Sequence, residues 1–305
     1  MTAPTLEGRL LCASNVAYDV LEDGAVRTRP PYYEGTGFIE APAGLCRGPK
    51  VIDAAFVGRT ADGVILAFRG TLPGPYTNSP EQTLDDWFQE LEFGLGKGAN
   101  LPGLVHIGFR SALDFLWDDV LRMVTTQLAG SGLRRLLITG HSKGGALANL
   151  AAARFVTLGV VSSAEVIVCT FAAPHPGDIA FANEYRILVP AAARYEFRDD
   201  IGPHLPPSTE ALWVFRDEPL FKRFHGNCDY APVGELRFIR WDGTIVADSK
   251  VLKAERLFHL AVQLAAWNVK AVLNEHKIEC RYGYMGTLCK IGVCPISTPT
   301  PRCTP

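Results

Sequence analysis

With 305 residues, nearly half of them hydrophobic and a fifth charged, the chain is long enough to bury one sizeable core, and a single globular domain is expected. A formal charge of -2 and a pI near 6.4, with no basic cluster, give no electrostatic case for nucleic acid or for an anionic membrane as partner. No apolar run approaches the ~18 residues that a bilayer crossing requires, and the N-terminus MTAPTLEGRLLCASN lacks the basic segment and apolar core of a leader.

Residues 1–50 are weakly patterned. Arg29-Pro30-Pro31-Tyr32-Tyr33 marks a loop and Leu10 to Leu21 has helical character, but no chemistry is legible there. Val51 to Val57 and Val64 to Phe68 read as strands joined by the turn Ala61-Asp62-Gly63, a hairpin feeding a central sheet. The second strand ends in Phe68-Arg69-Gly70-Thr71. A hydroxyl residue placed just after such a glycine can offer both its N–H and its Oγ–H to a developing oxyanion. Alone, the motif reads first as a turn with a satisfied hydroxyl.

The stretch LPGPYTNSPEQT, residues 72–83, carries three prolines and is a loop. Leu84, Trp87, Phe88 and Leu91 then recur at helical spacing, with Thr83 or Asp85 as cap. Loop and helix together read either as a lid, spanning residues 72–86, or as a surface loop with a core-facing helix. From Val105 to Leu128, apolar residues at Phe109, Ala112, Leu113, Leu116, Val120, Val124 and Leu128 mark one face of a long packing helix.

Leu136 to Thr139 is a short apolar strand and Ala146 to Phe155 a helix rich in Ala and Leu. Between them lies Gly140-His141-Ser142-Lys143-Gly144. A serine on so sharp a strand-to-helix turn needs small residues two positions to either side, so that strand and helix can cross closely, and the glycines supply that room. Ser142 is the candidate nucleophile; the alternative is a tight structural turn.

Val166 to Phe171 is a further buried strand, and Asp178 caps a helix starting near Ile179, while His175 reads as a loop residue. This alternation implies an α/β fold, with a mostly parallel central sheet and helices on both faces. Arg194 to Arg198 ends directly in Asp199-Asp200, carboxylates at the carboxyl end of a strand, where one of the two can hold a histidine. Adjacent side chains point to opposite sides of an extended chain, so only one can serve. Leu212 to Phe215 and Arg237 to Trp241 read as strands, Asp242-Gly243 as a turn, and Val251 to Asn274 as one long, largely buried helix. Two histidines after the acid are candidates for a base, His225 in a polar loop and His259 on that helix.

Of eight cysteines, Cys280, Cys289, Cys294 and Cys303 crowd a Thr- and Pro-rich tail. Disulfides, free thiols or a metal can each account for them, metal least well, because no C-x-x-C pair is present. Their crowding favours an oxidising, secreted setting over the cytoplasm. Cys169, inside an apolar run, reads as a small core side chain. The expected organisation is one domain over residues 1–278, followed by a tail over 279–305. No cofactor and no metal are expected.

Together these motifs resemble the class 3 lipases over roughly residues 50–270. The carriers are Ala67-Phe68-Arg69-Gly70-Thr71, Asp86-Trp87-Phe88 with Leu91, Val105-His106-Ile107-Gly108-Phe109, Thr139 to Gly145, Thr170-Phe171-Ala172-Ala173-Pro174, and Asp200 through Pro207. The resemblance implies an α/β-hydrolase fold and a serine carboxylester hydrolase acting on acylglycerols or related esters. Ser142 matches the nucleophile, Asp200 the triad acid, Thr71 and the backbone N–H of Lys143 the oxyanion-hole donors, and His259, by order and interval, the base.

Two departures stand out. Lys143 occupies a position that is usually neutral in the family; its charge sits at a helix N-terminus, where the dipole disfavours it, and reads either as solvated or as an attractant for an anionic substrate. The Pro-rich 72–83 loop lacks a clear amphipathic lid helix, which argues against strong activation at lipid interfaces and leaves only transient contact with them. A phospholipase or acyltransferase on the same triad, or a non-catalytic binding module with this fold, are the alternative readings.

Overall fold

The computed structural model describes residues 5–48, 52–72, 94–209, 211, 229–266, 268–278, 283–290 and 292–293. In chain order its elements begin with α1 (Leu6–Val16), α2 (Tyr32–Gly35), β1 (Ala43–Arg47), β2 (Asp53–Thr60), β3 (Gly63–Phe68), β4 (Leu95–Gly96) and β5 (Val105–His106). Then follow α3 (Ile107–Ala129), β6 (Leu136–His141), α4 (Lys143–Thr157), β7 (Val166–Phe171), β8 (Gly177–Asp178), α5 (Ile179–Leu188) and β9 (Ala192–Phe197). The chain continues with β10 (Tyr230–Ala231), β11 (Glu235–Ile239), β12 (Ile245–Val246), α6 (Lys250–Ala265), α7 (Val269–His276) and α8 (Tyr284–Lys290).

Among the described residues the main sheet has eight strands in the order β1-β2-β3-β6-β7-β9-β11-β12. From β3 through β6, β7 and β9 to β11 the pairing is parallel, and antiparallel strands close both edges. This is the α/β-hydrolase arrangement. The strand alternation divides the core in two. Val64, Leu66 and Phe68 face α3 and α4, where Leu113, Leu116, Val120, Leu147 and Phe155 are buried. Ile65 and Ala67 face the other side, where α1 and α8 pack.

The expected hairpin, the long helix of residues 107–129 and the strand and helix flanking Ser142 are all present. Asp178 caps α5 through its side chain, which accepts from Phe181 N–H at 2.7 Å. The N-terminal helix is displaced from its expected place: it runs Leu6–Val16, because the Thr5 hydroxyl caps it by accepting from Gly8 N–H at 3.1 Å.

The helix expected over 251–274 is two helices. α6 ends at Ala265, the Asn268 N–H turns back to the Gln263 carbonyl at 2.9 Å, and the Asn268 side chain bonds that of Gln263 at 2.7 Å. The new direction aims the end of α7 at the carboxyl edge of the sheet. Beyond residue 278, Tyr284, Met285 and Leu288 of α8 are fully buried, so the Cys-rich terminal stretch contributes to the core. The proposed lid over 72–86, the Asp86-Trp87-Phe88 motif, the strand at 212–215, His225 and four cysteines (Cys228, Cys280, Cys294 and Cys303) lie outside the described residues, apart from Leu72. Among the described residues no helix is long and apolar enough to cross a membrane, and no His/Cys/Asp/Glu group is arranged to hold a metal ion.

Candidate active site

β6 delivers Ser142 at the turn into α4. Its backbone stands at φ 57°, ψ -133°, a left-handed conformation that costs a non-glycine residue on the order of 1–3 kcal/mol and lifts its side chain off the sheet edge. The turn closes because its flanks are bare: a Cβ on Gly140 would stand 2.2 Å from the Gly144 carbonyl oxygen, and one on Gly144 would stand 2.2 Å from that of Phe68. The Ser142 N–H donates to Phe171 O at 3.0 Å, fastening the turn to β7. Ser142 itself is partly exposed.

Ser142 Oγ lies 2.8 Å from His276 Nε2, and His276 Nδ1 lies 2.7 Å from Asp200 Oδ1. A carboxylate can only accept, so the imidazole carries its proton on Nδ1, and Nε2 is left to accept from the serine hydroxyl. Asp200, 1% exposed, is saturated with donors: Gly202 N–H reaches Oδ1 at 2.8 Å and the Tyr284 hydroxyl reaches Oδ2 at 2.6 Å. Burial, reinforced by the Asp200 charge, pushes the Tyr284 hydroxyl well above its ordinary range, so it stays protonated and donates. Gly202 gives the imidazole its room, since a Cβ there would stand 2.4 Å from His276 Cε1.

A second histidine supports the first. His141 is buried and held neutral, its pKa depressed well below the ordinary value by desolvation and then by the neighbouring His276. Its Nε2 donates to the backbone carbonyl of His276 at 2.7 Å, so its Nδ1 accepts from the Tyr18 hydroxyl at 2.8 Å.

His259 is not at this site. It sits in the body of α6 with its ring stacked on Trp241, centroids 4.0 Å apart, while His276, at the very end of α7, meets Ser142. A helix packed along the sheet keeps its mid-body side chains over the strands, and only its end reaches the sheet's carboxyl edge. The two aspartates divide, but through a turn rather than strand alternation: β9 ends at Phe197, Arg198 stands at φ 43°, and the Asp200 N–H returns to Phe197 O at 2.9 Å. Asp200 faces His276, whereas Asp199 turns its Oδ2 to Trp241 Nε1 at 3.3 Å and Gln263 Nε2 at 3.2 Å. His175 is a loop residue, its Nδ1–H donating to Pro206 O at 2.7 Å, and burial depresses its pKa to about 3.

Thr71 emerges three residues beyond β3, whose Phe68 pairs with Gly140 of the parallel β6, and so leaves the sheet beside the serine turn. Lys143 is the first residue of α4, so its N–H has no carbonyl a turn earlier to bond. Its side chain is not solvated as the sequence suggested. Nζ is paired with Asp53 Oδ1 at 2.9 Å, the two side chains only 17% and 6% exposed, which neutralises the charge that the helix dipole would oppose and leaves no free cation for an anionic substrate.

Sequence reasoning missed His276, Tyr284 and Tyr18. The available signal for His276 was its position, a histidine just past the predicted end of the last long helix and downstream of the acid.

Residues 65–210 match the family model described as lipase (class 3). A lipase of Caenorhabditis elegans is 41% identical over 112 residues, 36% of this chain and 31% of that protein. A lipase of Rhizopus niveus is 30% identical over 148 residues, 48% of this chain and 35% of that protein. The chain thus spans about a third of the length of these relatives. Among solved structures, the triacylglyceride lipase of Rhizomucor miehei aligns with a TM-score of 0.59 at 20% identity, over 78% of this chain and 82% of that one. At that identity the likeness shows the fold alone.

Proposed function

We propose that the chain is a class 3 lipase acting as a serine carboxylester hydrolase of acylglycerols or related esters, with Ser142, His276 and Asp200 as its triad, on the strength of the family match over residues 65–210 and the similarity to the two lipases above. The observation that carries this reading is the pair of hydrogen bonds made by one imidazole, 2.8 Å to Ser142 Oγ and 2.7 Å to Asp200 Oδ1.

His276 Nε2 takes the serine proton as Oγ attacks the ester carbonyl. Asp200 holds the tautomer and stabilises the imidazolium. The developing oxyanion is received by Thr71 and the Lys143 N–H, and collapse expels the alcohol, which takes the proton back from His276. Water, deprotonated by the same imidazole, then releases the acid from the acyl-enzyme. Two features support a preorganised site: Asp200 is buried with its three donors in place, and the strained serine sits on a turn that cannot relax without breaking its bond to Phe171.

The test is covalent. A fluorophosphonate probe is expected to label Ser142 alone, as mapped by peptide mass, and p-nitrophenyl esters of increasing chain length are expected to turn over with a defined acyl optimum. Absence of both labelling and turnover would refute the reading.

A further inference from the structure

The acid-bearing turn and the base-bearing helix are joined at two successive positions. Asp200 bonds His276, and one residue earlier on each segment the Asp199 N–H donates to Glu275 Oε2 at 2.7 Å. Each segment thus carries one carboxylate that reaches the other. The end of α7 is also held by the His141 bond to the His276 carbonyl, by the Lys277 N–H returning to Asn274 O, and just beyond it by the Met285 N–H donating to Ile278 O at 3.0 Å.

We propose that Glu275 is a positioning residue of the triad, whose carboxylate hooks the end of α7 onto the Asp199 N–H and so holds His276 at working distance from both Asp200 and Ser142. The proposal rests on the hydrolase reading above. An i to i+1 arrangement of hook and base lets one hydrogen bond fix the direction of the next side chain, because the intervening peptide is rigid.

The hook is also a titrating one. Glu275 is half-buried and faces Arg198, Asp199 and Asp200 of the turn, with Lys277 beside it on its own segment and the neutral Gln263 and Trp241 beyond Asp199. Burial pushes its carboxyl up to about 7, the two aspartates adding to the rise while the Asp199 N–H and Arg198 oppose it. An ionised acceptor holds an N–H more strongly than a neutral one. The hook therefore tightens as pH rises through neutrality and loosens below it.

The experiment is a pH profile of kcat and KM on a soluble p-nitrophenyl ester, from about pH 5.5 to 9, for the wild type, Glu275→Gln and Glu275→Asp, with folding followed by thermal melts. Glu275→Gln keeps an acceptor but cannot ionise. It is expected to lose about three- to tenfold in kcat at pH 8.5 with KM within about twofold, and its acid limb is expected to show one ionisation fewer than the wild type. Glu275→Asp keeps the charge but falls one methylene short of the Asp199 N–H, so kcat is expected to fall by a similar factor while the second ionisation persists; it is the deciding variant if the Gln form does not fold. Superimposable profiles for wild type and variants overturn the proposal, as does a Glu275→Gln variant that loses kcat with the wild-type pH dependence unchanged or, where only Glu275→Asp folds, an Asp variant that retains the wild-type kcat. A wild-type chain that neither hydrolyses esters nor labels at Ser142 overturns the hydrolase reading and this inference together, so the two failures are distinguishable.

Discussion

His141 Nε2 donates to the carbonyl oxygen of His276 at 2.7 Å, so the residue before Ser142 holds the backbone of the histidine that meets it. Both ring nitrogens are engaged, the other by the Tyr18 hydroxyl at 2.8 Å. The bond ties β6 to the end of α7, elements 135 residues apart in the chain. His141→Phe is expected to keep the volume but remove the donor to the His276 carbonyl and the acceptor of the Tyr18 hydroxyl, at about 1–3 kcal/mol in all. If most of that cost appears as misalignment of the base, kcat falls by about 10-fold or more with little change in KM. Tyr18→Phe, which orphans only Nδ1, is expected to cost less. Steady-state kinetics of both variants on one ester check the order.

The two histidines that compete for the role of base give a sharper contrast. His276→Ala is expected to reduce kcat by about 10⁴-fold or more, since a member of the proposed triad is lost. His259→Ala is expected to leave kcat within about twofold and to remove only its stack on Trp241, worth about 0.5–1.5 kcal/mol of stability. Kinetics and urea melts on the pair decide it; a His259 variant as inactive as the His276 variant would return the base to α6.

Why one was legible in the sequence and the other was not has a physical cause. Ser142 announces itself because close crossing of strand and helix demands glycines at fixed offsets, and the choice of Asp200 follows from a strand-end motif. The parallel sheet was equally readable, since buried strands need short apolar runs and leave them in the sequence. His276 depends on a break between α6 and α7 at which no Pro or Gly stands; the break is made by Asn268 bonding back to Gln263, a tertiary choice without a compositional mark. Tyr284 was hidden for a different reason. Its segment is rich in Cys, Thr and Pro and reads as a tail, yet a single aromatic side chain with one hydroxyl both fills the core and reaches Asp200.

Acid sensitivity follows from the buried histidines. Desolvation depresses His106 and His175 to about 3 and His204 to about 4, and His141 lies well below its ordinary value of 6.5. In the unfolded chain each imidazole takes up its proton near pH 6.5. Between that value and the folded pKa the unfolded state binds more protons, so stability is present above about pH 6.5 and is lost as pH falls. Each histidine contributes up to about 1.4 kcal/mol per pH unit. Glu275 acts with the opposite sign: raised to about 7 in the fold, it costs stability as pH rises from its unfolded value to 7 and offsets part of the slope. Urea midpoints are expected to fall steadily from pH 7 to pH 4.5, and His175→Asn, which takes up no proton, is expected to flatten the slope. A stability that is flat across this range would contradict neutral burial of these rings.

The Lys143–Asp53 pair makes a prediction that separates a true ion pair from an incidental contact. Asp53 opens β2 and Lys143 opens α4, so the 2.9 Å bond spans the end of β3 that lies between them in the sheet. With so little solvent at either group, Asp53→Asn leaves an ammonium buried at the positive end of a helix dipole, and Lys143→Met leaves a carboxylate without its counter-ion. Each single change is expected to destabilise by about 2–4 kcal/mol. The double variant Lys143→Met with Asp53→Leu removes both charges together and is expected to recover most of the loss, because a buried pair is roughly balanced against an apolar replacement of similar volume. Denaturant unfolding of the four proteins forms the cycle. Strictly additive losses would mean that the two charges do not depend on one another, and that Lys143 is tolerated at the nucleophile turn for a reason other than its pairing with Asp53.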